Sequence, residues 1–233
     1  MLIGGIVPFS LIDYPPHMAC VIFTQGCNFR CPYCHNPELV TSGASGDRFM
    51  PGPLFDFLKE RKGKLDAAVI TGGEPTLQDG LIEFIEKINL LGYAVKLDTN
   101  GTSPALLQTL IRRRLIQAVA MDVKAPLDRY REVTGGSCDD ALREAVIKSI
   151  RLLLKANIEV EFRTTIIKGF VGTEDVLAIA KIIKMAPRYA LQRFVASKTF
   201  DPDFQETGAF TEEELADLCK KLRSRYAYDL KIR

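Results

Sequence analysis

The feature that most constrains the fold is a regular alternation between short apolar runs and longer segments with helical periodicity. Such an alternation indicates parallel strands joined by right-handed helical crossovers. The predicted strands are Ala19–Thr24, Ala67–Thr71, Ala94–Asp98, Ala118–Val123, Ile158–Ile167 and Tyr189–Ala196. The predicted helices are Pro53–Lys62, Leu77–Leu91, Ser103–Arg114, Asp139–Asn157, Thr173–Met185 and Thr211–Tyr226.

Charged side chains on one face of three successive strands favour one kind of sheet. Lys96 and Asp98 share a face, as do Asp122 and Lys124, and Arg163 repeats the pattern on the next strand. A flat parallel sheet is covered by helices on both faces and is normally apolar throughout, because unpaired charges under helices are unfavourable. We therefore expect an α/β fold with helices outside and a polar interior, a partial (β/α)6 barrel open at one side. A solvent-exposed antiparallel sheet conflicts with the helices between the strands.

The two ends of the chain complete this fold. Leu2–Tyr14 is predicted to form a small lead-in hairpin within residues 1–18, and Asp229–Ile232 a short last strand. No long Pro-, Gly- or Ser-rich linker interrupts the pattern, which indicates a single domain over residues 1–233.

Charge and hydropathy argue against two classes of partner. A formal net charge of +2 is too small to indicate nucleic acid or an anionic membrane surface as the main partner. The sequence shows neither a signal peptide nor an apolar stretch long enough to span a bilayer, so we predict a cytoplasmic protein.

Three of the six cysteines lie within eight residues, at Cys27, Cys31 and Cys34. Without an export signal, clustered cysteines indicate thiols or metal ligands rather than disulfides. Thiolates suit either zinc or an iron–sulfur cluster. His35 is an awkward fourth zinc ligand because it directly follows Cys34. A cluster held by only three thiolates would instead leave one iron free to chelate an amino acid.

The C-x3-C-x2-C spacing, followed by His35 and Asn36, resembles the radical S-adenosylmethionine superfamily, in particular the activating enzymes of glycyl radical enzymes. The segments 9–15 and 23–37 are similar to activating proteins of anaerobic ribonucleotide reductases. The resemblance implies a [4Fe–4S] cluster on Cys27, Cys31 and Cys34. It also implies reductive cleavage of S-adenosylmethionine to methionine and a 5′-deoxyadenosyl radical. The expected partners are a glycyl radical enzyme and a flavodoxin or ferredoxin-type electron donor.

A glycine-rich turn, Thr71–Thr76, follows the second predicted strand. It lacks the Gly-Lys-Ser/Thr of a phosphate loop and the spacing of a dinucleotide fingerprint. The resemblance implies that Gly72, Gly73 and Glu74 bind the methionine amino group of S-adenosylmethionine.

Further cofactor-binding residues follow from the same resemblance. They are Tyr33, near the adenine or shielding the cluster, and Asp98, Thr99, Asn100, Asp122 and Lys124 in the barrel interior. Arg163 is a candidate for a different reason, because its side chain is predicted to point into the same interior. A monovalent cation is expected near Asp98, Thr99 and Asp122, and Lys124 is expected to pair with the carboxylate or ribose of the cofactor. Gln192 and Arg193 are additional candidates on the sixth predicted strand.

These motifs all lie where a predicted strand leads into its helix. In a parallel barrel the strand exits share one face, where such folds build active sites. We therefore expect a radical enzyme that installs a glycyl radical on an anaerobic ribonucleotide reductase-like partner. Two alternatives remain open: a radical enzyme acting on a small molecule, as carboxy-deazaguanine synthases do, and a non-catalytic iron–sulfur or zinc module.

Overall fold

The structure, a computed structural model, describes residues 1–41 and 51–233. Its sheet contains eight strands that neighbour one another in chain order. They are β1 (Ile3–Ser10), β2 (Ala19–Thr24), β3 (Ala67–Gly72), β4 (Ala94–Thr99), β5 (Ala118–Asp122), β6 (Glu159–Ile166), β7 (Arg188–Arg193) and β8 (Asp229–Ile232). β1 is antiparallel to β2, and every later pair is parallel. Within the described residues β1 and β8 do not pair, so the barrel is open along one side.

A helix lies in each crossover between the parallel strands. The helices are α1 (Pro51–Glu60), α2 (Leu81–Leu90), α3 (Pro104–Arg112), α4 (Tyr130–Val133), α5 (Asp140–Leu153), α6 (Thr173–Ile182) and α7 (Glu212–Arg223). In the part of the chain that the structure describes, no helix combines the length and the apolar character that crossing a membrane requires.

The two faces of the sheet differ as the charge pattern predicts. Leu97, Met121 and Phe162 point toward the helices and join the large apolar core with side chains such as Leu107 and Ile150. The other face forms the barrel interior, which changes in character along its axis. Its lower part is a small apolar cluster made of Tyr14, Ala19, Val21, Ala67, Val69 and Ala118. Its upper part is polar.

The segment that follows β1 closes the lower end of the barrel. Tyr14 is buried in the lower apolar cluster, and the Lys96 ammonium donates a hydrogen bond of 2.5 Å to the carbonyl of Asp13. A small cavity of about 20 Å³ remains at this lower end of the barrel, and Glu159 and Arg233 form part of its lining. We refer to residues 10–17 as the barrel floor.

The predicted lead-in hairpin within Leu2–Tyr14 is wrong. The structure has a single strand, β1, which forms its antiparallel pair with β2 instead. The residues after β1 leave the sheet, and Pro15 and Pro16 could not extend a ladder because they have no N–H. The burial of Tyr14 gives this segment a place inside the barrel.

The observed helix starts agree well with the capping residues in the sequence, whereas the ends predicted from hydrophobic periodicity agree less well. Asp139 caps α5 through Leu142 N–H, and Thr211 and Glu214 form a reciprocal capping box on α7. By contrast, α5 ends at Leu153, four residues before the predicted end, and the short helix α4 was not predicted. The predicted last strand, Asp229–Ile232, is confirmed.

Candidate active site

A cavity of about 380 Å³ opens where β2 to β6 end. Every residue predicted for the site lines this cavity, from the three cysteines to Arg163. The structure thus brings together side chains that are more than 130 positions apart in sequence, such as Cys27 and Arg163. Thr165, Gln192 and Arg193 also line it, on the side of the last strands.

The cysteine loop leaves β2 and is fixed by backbone hydrogen bonds at its start. Gly26 N–H donates to the carbonyl of Leu39 at 2.7 Å, and Cys27 N–H donates to the carbonyl of Val40 at 3.1 Å. Further along, Arg30 N–H donates to the carbonyl of Thr134 at 3.2 Å. These bonds define the position of the loop without using any cysteine side chain.

A second loop approaches the cysteine loop from the region after α4. Gly135 has a φ of +64°, and a Cβ at this position would lie 2.2 Å from the carbonyl oxygen of Arg30. The side chain of Arg30 folds back and donates to the carbonyl of Cys27 at 2.6 Å. Only a glycine permits this close packing behind the cysteines.

The three thiols are free and face the cavity. Cys31 is 7% exposed, and burial raises the pKa of its thiol to about 12 although Lys124 acts in the opposite direction. Burial also raises the pKa of Cys27 and Cys34 above the ordinary value of a thiol. Metal binding to these sulfurs would therefore release protons, as it generally does at thiolate sites.

Gly72 and Gly73 connect the end of β3 to the cysteine loop. Gly72 has a φ of +117°, and a Cβ on Gly73 would lie 2.2 Å from the carbonyl oxygen of Gly26. Gly73 N–H donates to the carbonyl of Thr24 at 2.9 Å, and Glu74 N–H donates to that of Gly26 at 2.7 Å. These glycines are therefore required for contact between two segments of this chain, in addition to any approach of a ligand.

The Glu74 carboxylate joins the end of β3 to the end of β4. It is 1% exposed and accepts hydrogen bonds from Thr76 N–H (3.0 Å), Thr76 Oγ1 (2.5 Å), Thr99 Oγ1 (2.7 Å) and Asn100 N–H (2.7 Å). Burial raises the pKa of Glu74, while these donors lower it in part. Positioning the residues that follow β4 is a role that the sequence pattern did not reveal.

A row of alternating charges crosses the upper interior. Arg163 pairs with Asp98 through Nη1 at 2.9 Å and with Asp122 through Nε at 2.8 Å. Lys96 lies 3.1 Å from the other oxygen of Asp98, and Lys124 lies 2.8 Å from the other oxygen of Asp122. We refer to these five residues as the interior charge row.

The acids of this row stay ionised although they are buried. Burial alone would raise the pKa of Asp98 and Asp122, but Arg163 and the adjacent lysine outweigh it and hold both values below the usual range. Asp122 in turn raises the pKa of Lys124 against the effect of burial. Because each carboxylate already has two basic partners, the monovalent cation expected here would have to compete with Lys96, Lys124 and Arg163.

Tyr33 lies among aromatic rings. Its ring is 6.1 Å from Phe170 and 6.4 Å from Phe204, measured between centroids, and it is 4% exposed. Its hydroxyl has no hydrogen-bond partner among the residues that the structure describes. Close by, His35 stacks on Phe194 with a centroid distance of 5.4 Å.

Comparison with protein families matches residues 21–183, most of the chain, to the radical SAM superfamily. The chain belongs to this superfamily. Its cofactors are accordingly a [4Fe–4S] cluster and S-adenosylmethionine. The predicted resemblance to the radical S-adenosylmethionine superfamily is thereby confirmed, and so is the α/β barrel fold.

Three relatives illustrate the range of the family. A Methanocaldococcus jannaschii protein, named provisionally as a glycyl-radical enzyme activating enzyme, is 39% identical over 100% of this chain and 95% of its own length. The pyruvate formate-lyase-activating enzyme of Streptococcus mutans is 27% identical over 83% of this chain and 75% of its own length. A GTP 3′,8-cyclase of Helicobacter pylori is 31% identical over 85% of this chain but only 61% of its own length.

Solved structures support the fold independently of sequence. Streptococcus suis SuiB bound to S-adenosylmethionine superposes with a TM-score of 0.69 at 13% identity, over 91% of this chain and 49% of that chain.

The donor set of the cavity fits the iron–sulfur cluster. Three thiols line one cavity beside the cationic Lys124, which suits an anionic group made of iron, sulfide and thiolate. Among residues 1–41 and 51–233 the structure contains no group of three or more acidic, histidine or cysteine side chains close enough together to hold a single metal ion. An iron–sulfur cluster is larger than one ion, so its three thiolates need to line a common cavity and do not need to meet at one point.

Proposed function

We propose that this protein cleaves S-adenosylmethionine reductively and that the resulting 5′-deoxyadenosyl radical abstracts a hydrogen atom from a backbone glycine of a partner enzyme. One electron and S-adenosylmethionine would give methionine and the 5′-deoxyadenosyl radical. Hydrogen transfer would then give 5′-deoxyadenosine and a glycyl radical. The observation that carries the proposal is the convergence of Cys27, Cys31 and Cys34 with Glu74 and the interior charge row on one cavity.

Each part of the cavity has a proposed role. Cys27, Cys31 and Cys34 hold the cluster, which supplies the electron for the cleavage when it is bound. Gly72 and Gly73 offer backbone to the methionine end of the cofactor. Tyr33 would pack near the adenine.

The interior charge row would bind the polar part of S-adenosylmethionine. Lys124 lies on the cavity and has three donors on a flexible stem, which suits a carboxylate or a ribose hydroxyl. Arg163 holds Asp98 and Asp122 in place, so these carboxylates have defined positions before any ligand arrives. Asp98, Thr99 and Asn100 complete this wall.

The proposed partner is a glycyl radical enzyme, in the first place one like the anaerobic ribonucleotide reductase. The names of the Methanocaldococcus jannaschii and Streptococcus mutans relatives support this class of partner. The open side between β1 and β8 supports it as well, since a protein loop needs lateral access to an interior cavity. A flavodoxin or ferredoxin-type protein would supply the electron.

The test uses the full chain reconstituted anaerobically with iron and sulfide. With dithionite and S-adenosylmethionine we expect 5′-deoxyadenosine. On addition of a glycyl radical enzyme from the same genome, a stable glycyl radical signal should appear by electron paramagnetic resonance. Cluster-loaded protein that forms no 5′-deoxyadenosine would overturn the proposal in favour of a non-catalytic module.

A second candidate is a radical reaction on a small molecule. It is favoured by the likeness to the GTP 3′,8-cyclase, a protein that shares most of this chain but is longer. In that case the small molecule would be turned over in the presence of dithionite and S-adenosylmethionine and without a protein partner, a carboxy-deazaguanine precursor or GTP being the first to try. No glycyl radical would form on any protein.

A further inference from the structure

We infer that the side-chain amide of Asn100 donates a hydrogen bond to the sulfur of Cys27 and thereby raises the reduction potential of the cluster. The inference rests on the proposed binding of the cluster by Cys27. It gives Asn100 a function other than contact with S-adenosylmethionine.

The geometry places the amide nitrogen of Asn100 next to the sulfur. Nδ2 lies 3.9 Å from Cys27 Sγ, within the range of hydrogen bonds to sulfur, and its other hydrogen is directed to Asn28 Oδ1 at 2.9 Å. Asn100 is 5% exposed, so water does not compete freely for these donors. A buried N–H near a thiolate is a strong electrostatic partner because the surroundings are of low dielectric constant.

The orientation of this amide is determined by its neighbours. The other end of the Asn100 side chain faces the backbone N–H of Thr102 at 3.1 Å, which can only donate. The atom there must be the oxygen, and the nitrogen must therefore face Cys27. The hydroxyl of Thr102, 2.7 Å from the same oxygen, accepts in turn from Asn28 Nδ2 at 2.9 Å, which closes a small network.

The backbone of Asn100 is equally well fixed. Its N–H donates to Glu74, as described above, and the following residue, Gly101, has a φ of +80°. The carbonyl of Gly101 accepts from the hydroxyl of Ser149 on α5 at 2.6 Å. The backbone of Asn100 is thus held by the carboxylate of Glu74, which follows β3, and by the contact of the next residue with α5.

The expected effect follows from charge. Reduction adds an electron to a cluster that is already anionic, and a hydrogen bond to a ligand sulfur stabilises the more negative state. Cys27 Sγ also accepts the backbone N–H of Phe29 at 3.4 Å, so its sulfur would have a main-chain donor and a side-chain donor. Loss of the Asn100 donor should make the cluster harder to reduce.

The experiment compares two near-isosteric variants of the reconstituted full-length protein. Asn100→Leu removes the donor, whereas Thr102→Val removes only the hydroxyl behind the amide and leaves the Thr102 N–H that orients it. In a redox titration followed by electron paramagnetic resonance, we expect Asn100→Leu to lower the ratio of reduced to oxidised cluster several-fold at a fixed potential. A tenfold fall corresponds to about 59 mV for a one-electron couple. Thr102→Val should stay within about twofold of wild type (about 18 mV on the same scale).

Equal midpoint potentials in Asn100→Leu and wild type would overturn the inference, as would equal shifts in the two variants. Should Asn100→Leu fail to hold a cluster, a second measurement uses the wild-type fold. Protein grown with asparagine labelled with ¹⁵N in the side chain should show a ¹⁵N coupling to the reduced cluster in pulsed electron paramagnetic resonance. That coupling should be lost in Asn100→Asp, and its absence from wild type would also overturn the inference.

These outcomes are separate from failure of the proposed function. If wild-type protein assembles no cluster, the assignment of the three cysteines is wrong. If it assembles one and cleaves S-adenosylmethionine but the potential is insensitive to Asn100, only the present inference fails.

Discussion

Glu74 accepts a 2.7 Å hydrogen bond from the backbone N–H of Asn100, so the ends of β3 and β4 are joined through one buried carboxylate. The Glu74 carboxylate accepts three further hydrogen bonds, and its side chain is almost inaccessible to solvent. Glu74→Gln would place an amide group against donors that need an acceptor. We expect the free energy of unfolding to fall by about 2 kcal/mol or more, measured by urea denaturation of the cluster-free protein.

The control for this change is Glu83→Gln on the exposed side of α2. It removes the same charge without breaking a buried network, and its effect should remain within about 0.5 kcal/mol. Equal stability of the two variants would show that the carboxylate of Glu74 is not needed to join the strands.

Gly73 is predicted to tolerate no side chain. A Cβ would lie 2.2 Å from the carbonyl oxygen of Gly26, which is backbone and cannot move aside without shifting the cysteine loop. Gly73→Ala should lower the free energy of unfolding by about 2 kcal/mol or more and reduce the iron bound after reconstitution. Gly5→Ala, where a Cβ meets nothing within 4 Å, serves as the matched control and should bind iron like wild type.

The cysteines divide into two groups with different expected behaviour. Cys27→Ala, Cys31→Ala and Cys34→Ala should each abolish the formation of 5′-deoxyadenosine, because each removes a thiolate that the cluster needs. Cys138 and Cys219 are buried in the apolar core away from the cavity, and their alanine variants should retain activity. Iron and sulfide content should follow the same division. Equal losses in all five variants would mean that the ligands have been assigned wrongly.

Arg163 neutralises two buried acids at once. Arg163→Met would leave Asp98 and Asp122 facing each other with only one lysine each. Breaking a buried ion pair in this way typically destabilises a protein by about 3–5 kcal/mol. The double variant Asp98→Asn with Arg163→Met should recover part of this loss in a double-mutant cycle. If the losses in unfolding free energy of the two single variants simply added up in the double variant, Asp98 and Arg163 would not interact directly.

The same acids predict how stability depends on pH. The pKa values of Asp98 and Asp122 are lower in the folded protein than the ordinary value of 3.8. Their contribution is therefore fully present above that value and is lost as the pH falls below it through the folded pKa. We expect urea denaturation between about pH 5 and pH 1 to show a steeper loss of stability in wild type than in Asp98→Asn with Asp122→Asn. Parallel curves would contradict this origin of the acid sensitivity.

The main architecture could be predicted because two patterns in the sequence indicate the same fold. One is the alternation of strands with helical segments, and the other is the alternation of polar and apolar side chains along the strands. Helical segments between apolar runs determine parallel strands, and the side-chain alternation of β4, β5 and β6 places Lys96, Asp122 and Arg163 on the inner face. Most of the cavity residues could be predicted because the family resemblance singles out their motifs and because these motifs end successive strands. Segment 53–62 is predicted helical, and α1 covers most of it.

What could not be predicted depends on contacts between distant segments. Asn28 and Thr102 are ordinary loop residues in the sequence, and only the fold brings them to Asn100. The predicted lead-in hairpin fails for the same reason, because Tyr14 packs against strand residues such as Ala67 and Ala118 that are distant in sequence. The joining of the ends of β3 and β4 by Glu74 depends on donors from Thr99 and Asn100, which only the fold brings to its carboxylate.

The barrel floor has a consequence for the chemistry proposed at the other end. The space left beneath the sheet, about 20 Å³, admits roughly one water molecule, and Lys96 bonds to the main chain of Asp13 across it. Among the described residues, the barrel floor thus leaves the strand ends above and the gap between β1 and β8 as the wide entrances to the interior. A reactive species generated inside would meet what comes through those entrances before it meets bulk solvent.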